Sequence, residues 1–109
     1  MSTRGVVFVH SSPTAVCPHV EWALSGVLGT RVSLEWSAQP VASGQMRAEC
    51  TWSGPAGSGG ALAGALRAWS MLRFEVTEEP KPGQVRVLLD FGGNTELLVE
   101  LVGRRSQWG

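Results

Sequence analysis

Val32-Ser33-Leu34-Glu35-Trp36-Ser37 alternates strictly, with Val32, Leu34 and Trp36 on one side and Ser33, Glu35 and Ser37 on the other. An extended chain turns successive side chains to opposite faces, so residues 32–37 read as a half-buried strand. Gln39 to Gln45, holding Pro40 and Gly44, reads as a hairpin connection. Beyond it Met46, Ala48, Cys50 and Trp52 alternate with Arg47, Glu49 and Thr51, which predicts a partner strand.

Working outward, Val6 to His10 is a β-branched and aromatic run without polar alternation, suited to a central strand. Ser11-Ser12-Pro13 breaks it, and residues 11–17 are expected to form a loop. A first helix should begin at Pro18, whose missing amide costs nothing there, and end at Gly29. Val20, Leu24, Val27 and Leu28 form its apolar stripe, from which Glu21 and Ser25 fall away. Gly54-Pro55-Ala56-Gly57-Ser58-Gly59-Gly60 leads to a second helix marked by Leu62, Ala65, Leu66 and Trp69, with Ser58 as the expected N-cap. Leu72, Phe74 and Val76 alternate with Arg73, Glu75 and Thr77 as a fourth strand.

Pro80 to Gly83 punctuates the chain before a fifth strand, Val85 to Phe91. The turn Gly92-Gly93-Asn94 favours a hairpin, so Thr95 to Val102 is assigned to a sixth strand although its leucine spacing also fits a helix. The expected fold is α+β: a ferredoxin-like βαββαβ antiparallel sheet with two helices on one face, plus a C-terminal β-hairpin. It forms a single domain, with the core over residues 1–79 and the hairpin or tail over 80–109. Arg47, Arg73 and Arg86, with Glu35, Glu49 and Glu75, are placed on the helix-free face.

Four segments together resemble an uncharacterised actinobacterial family, a domain of unknown function. They are Thr3-Arg4-Gly5-Val6, Val9-His10-Ser11-Ser12-Pro13, Cys17-Pro18-His19-Val20-Glu21-Trp22 and Leu72-Arg73-Phe74-Glu75-Val76-Thr77. The likeness spans residues 3–79, and Pro80 to Gly109 departs from the longer C-terminal part that members of the family carry. The resemblance implies a bacterial cytoplasmic protein and supplies no activity, cofactor or partner.

Composition narrows the function classes. The chain has 109 residues, 43% hydrophobic and 17% charged, with a formal net charge of +0, so no global field draws it to nucleic acid or anionic lipid. The apolar run Val6-Val7-Phe8-Val9 is too short for a signal peptide or a membrane span, which places the protein in the cytoplasm and favours two buried thiols over a bridge between Cys17 and Cys50. The βαββαβ order is shared with RNA-recognition modules, but that use needs exposed aromatics on the central strands, and only Phe8 could serve.

Candidate sites follow from residue type. Gly57, Ser58, Gly59 and Gly60 precede a helix, where free amides favour phosphate, although the Lys-Ser/Thr ending of a nucleotide loop is missing. His10, Cys17, His19 and Cys50 have the ligand types of a zinc site but the spacing of no known zinc motif. Cys17 and His19 could be nucleophile and base, yet residues two apart do not face each other on a helix. Trp22 lies off the apolar stripe beside His19, so His10, His19, Glu21 and Trp22 are assigned to an interaction surface for a second copy or a protein partner. No catalytic residue, metal or cofactor is assigned. The sequence therefore favours a noncatalytic interaction or ligand-binding module, with a nucleotide or coenzyme A site, or acyl transfer, at the glycine run as the alternative.

Overall fold

The computed structural model describes residues 2–81, 83–91 and 96–102, with side chains over 2–80 and 83–88. In chain order the elements are β1 (Ser2–Pro13), a short 3-10 turn (Thr14–Val16), α1 (Cys17–Leu28), β2 (Ser37–Ala38), β3 (Gln45–Pro55), α2 (Ser58–Leu66), β4 (Arg73–Lys81), β5 (Gln84–Phe91) and β6 (Glu96–Val102). One antiparallel sheet has the order β2-β3-β1-β4-β5-β6. The turn expected at Gly92 to Asn94 lies outside the described residues, as do Arg104, Arg105 and Trp108.

Local chemistry fixes the helices. Pro18 sits in the first turn of α1, and Gly29 closes it in the left-handed region at φ 69°, donating its N–H to the Ser25 carbonyl at 2.9 Å. Val20 and Leu24 are fully buried, and Leu62, Ala63 and Leu66 of α2 join them. Both helices cover one side of the sheet, where Val7, Val9, Trp52, Phe74 and Val76 complete the core. Burying each large aliphatic side chain contributes about 1.5–3 kcal/mol, so this layer is the main source of stability.

The sheet corrects the ferredoxin-like expectation. Its strand order over six strands among the described residues is not the ferredoxin-like one, since β5 continues the ladder from β4 through pairs such as Val76 with Leu88. β1 is also longer than the Val6 to His10 run: Ser11 to Pro13 remain extended through a bulge after Val9.

The expected strand over 32–37 is the largest departure. Residues 31–36 are irregular, and only Ser37 and Ala38 pair with β3, opposite Arg47 and Met46. The burial alternation survives, with Leu34 buried, Val32 and Trp36 half-buried, and Arg31, Ser33 and Glu35 exposed. The hydrogen bonds go elsewhere. The Leu34 N–H donates to the Glu21 carboxylate at 2.9 Å, the Trp36 indole N–H to the same oxygen at 3.1 Å, and the Val32 N–H to the Ser25 hydroxyl at 2.8 Å. Extending the β2–β3 register would place Glu35 directly opposite Glu49. Like charges directly opposite each other destabilise a ladder, which disfavours continuing β2 through these residues.

Arg86 also departs from expectation. It pairs with Glu78, which shares the helix-covered side of β4 with Phe74 and Val76, so Arg86 does not join Arg47, Glu49, Arg73 and Glu75 on the open face.

Candidate functional site

The open face centres on β1, whose residues Arg4, Val6, Phe8 and His10 point away from the helices. Phe8 and His10 stack nearly parallel, with centroids 5.9 Å apart and planes at 4°. The His10 Nε2 lies 3.4 Å from Glu75 Oε1, and the Gln39 side chain donates to the His10 carbonyl at 2.7 Å. This last bond ties the 39–45 turn to the end of β1, as does the Ser11 hydroxyl donating to Gln45 Oε1 at 2.9 Å.

Because residues 33–36 dock on α1 and not on β3, a groove of about 670 Å³ opens between them and the sheet. Ser33, Glu35, Ser37 and Gln39 form one wall, and Arg47, Glu49, Phe8 and His10 the floor and the other wall. The outer edge of β3 borders it. Peptide groups in an antiparallel strand point alternately to either side. The Gln39 N–H bonds to the Gln45 carbonyl at 2.9 Å, so the odd-numbered groups of β3 point to this edge and the even-numbered ones to β1. β2 ends at Ser37, opposite Arg47, so among the described residues the N–H and C=O groups of Glu49, Thr51 and Ser53 have no ladder partner. All three residues are exposed.

The glycine run is built differently from a phosphate cradle. The N-cap position is Gly57 at φ 92°, not Ser58, whose hydroxyl donates to the Pro55 carbonyl at 2.6 Å. The Gly57 N–H donates to Glu78 Oε2 at 3.0 Å, and the Thr3 hydroxyl to the same oxygen at 2.8 Å. Glu78 is only 2% exposed, and a Cβ at Gly59 would lie 2.7 Å from its other oxygen. A buried carboxylate therefore already supplies the negative charge that a helix start favours, and it repels an added anion.

The remaining expected residues are scattered. His10 is on the open face, whereas His19 and Trp22 are exposed on α1 across the sheet, with His19 tilted against Trp69 at 6.0 Å. The structure does not bring these into one surface. Glu21 is half-buried and spent on Leu34 and Trp36. Cys17 is buried with its thiol near Ser12 Oγ and the Pro13 carbonyl, at 3.7 and 3.6 Å, while His19 faces solvent. Cys50 is a free thiol on the helix side of β3, and burial pushes its pKa up, which keeps it neutral and a poor nucleophile. Among the described residues no three His, Cys, Asp or Glu side chains gather closely enough to hold a metal ion.

Residues 6–87 match the family described as "Protein of unknown function (DUF3145)". The chain belongs to that family. The matched region contains β3, the 31–36 segment and Glu78, so the groove and its border lie wholly inside the DUF3145 unit. It also continues past Glu79 to residue 87, within β5, further than the sequence resemblance reached. No curated protein and no solved structure matches the chain. Among the described residues no helix is long and apolar enough to cross a membrane.

Sequence reasoning missed Glu35, Glu49 and Glu78 as site residues. The signal for the first two was present: their spacing makes them neighbours in the very register that the alternating runs suggest.

Proposed function

We propose that this DUF3145 protein is a noncatalytic binding module that engages a protein partner in the groove beside β3. The observation that carries this reading is the juxtaposition of an unpaired strand edge with a polar groove of about 670 Å³. Exposed edges are ordinarily covered, charged or cut short, because unmatched N–H and C=O groups recruit other chains. Here the edge keeps three outward residues in a row, and at Glu49 it is flanked by a wall, Ser33 to Gln39. The Phe8–His10 stack offers an apolar surface at its floor, and Arg47, Glu49 and Glu35 offer charge.

The test is site-specific photocrosslinking in the source cell, with the crosslinker at Ser33 in one strain and at Gly60 in another. A discrete adduct is expected from Ser33 and none from Gly60. Adducts from Gly60 alone, or from neither position, contradict the reading.

A further inference from the structure

We propose that the occupant of the groove is an extended peptide segment carrying lysine or arginine at alternate positions, which adds to β3 as a further strand along Glu49 to Ser53. The inference rests on the binding reading above and specifies its partner.

The backbone sets the mode. Glu49, Thr51 and Ser53 present N–H and C=O groups on one line, and an antiparallel segment with matching spacing would bond to all three residues. The addition is bounded at both ends. β2 occupies the edge at Arg47 and Met46, and Pro55 has no N–H to offer.

The walls select a single chain. Ser33, Glu35, Ser37 and Gln39 stand across the groove from Arg47 and Glu49, so the rim of another folded sheet would meet this wall where the free edge begins, while Thr51 and Ser53 lie beyond the groove. A lone extended segment fits between the wall and β3.

Charge selects its side chains. Glu35 and Glu49 both face the groove, and among the described residues neither has a basic group within ion-pair distance. A strand added there brings alternate side chains to the open face, where a cation opposite Glu49 pairs with its carboxylate in a groove that Glu35 also lines. Arg47, at the end closed by β2, disfavours a cation there and so helps fix the register.

The experiment titrates the isotope-labelled full chain with a short peptide alternating lysine and valine, and with the same peptide carrying glutamate for lysine. The lysine peptide should shift the amides of Glu49, Thr51 and Ser53 and slow their exchange, and the glutamate peptide should not. Glu49→Gln should weaken the lysine peptide roughly two- to fivefold, the worth of one cross-strand charge pair. Thr51→Pro removes an outward N–H at an edge position that tolerates proline, and should abolish the response. Equal responses to the two peptides, shifts confined to other residues, or no shift at roughly millimolar peptide, about a thousand times weaker than roughly micromolar recognition, overturn the proposal. Concentration-dependent protection of the same amides without peptide means that a second copy is the occupant, which also overturns it. If Ser33 yields an adduct in cells while neither peptide binds, strand addition fails and the binding reading stands; if Ser33 yields none, the binding reading itself fails.

Discussion

Gly5→Ala is expected to cost about 3 kcal/mol or more, a large fraction of the roughly 5–15 kcal/mol that holds an ordinary domain folded. A Cβ at Gly5 would lie 1.7 Å from the Thr77 carbonyl oxygen, 2.6 Å from its carbon and 2.9 Å from the Trp52 indole nitrogen. Relief by backbone movement is blocked, because β1 is held between β3 and β4. The ladder is already rerouted at this point: the Val6 N–H donates to the Thr77 hydroxyl at 2.9 Å. Denaturant unfolding of Gly5→Ala beside Gly26→Ala separates this clash from the generic effect of a methyl group. Gly26 lies inside α1 with nothing within 4 Å of its would-be Cβ, so that variant should gain about 0.5–1 kcal/mol from helix propensity. A Gly5→Ala protein as stable as the parent would show that β1 and β4 are not in this register.

Glu78→Ala is the second large effect, with an expected loss of about 3 kcal/mol. The carboxylate is buried and accepts charge-assisted hydrogen bonds from the Thr3 hydroxyl and the Gly57 N–H. Bonds to a charged group are worth about 1.5–3 kcal/mol each, and truncation also orphans both donors and leaves a void beneath Gly59. Glu78→Gln keeps the shape and an acceptor oxygen but loses the charge, so it should cost about half as much. Thermal or denaturant melts of the two variants provide the check. Equal stability of Glu78→Ala and the parent would mean that the start of α2 is not anchored on β4.

Much of the fold was legible because the relevant signals are local. Pro18 and Gly29 bracket α1 through chemistry carried by single residues, and the alternation in 46–52 and 72–76 gave the buried faces of β3 and β4 correctly. Alternation reports which side chains are buried, however, and not where the backbone hydrogen bonds go. At Val32 to Trp36 these two questions have different answers, since Glu21 and Ser25 of α1 take the amides while the side chains still alternate. The same gap hid the site. Only the register between two strands distant in sequence reveals that Glu35 would oppose Glu49, and only the third dimension brings Glu78 under Gly57. The glycine run was correctly read as a connection into a helix, but its counter-charge came from a residue 21 positions away.

Amide hydrogen exchange on the free protein tests the central point most directly, namely that the outer edge of β3 is unpaired. The amides of Glu49, Thr51 and Ser53 should exchange nearly as fast as in an unstructured peptide, while those of Ala48, Cys50 and Trp52, which point at β1, are strongly protected. Equal protection along Ala48 to Ser53 would mean that residues 31–36 close the ladder, and no groove would remain beside β3.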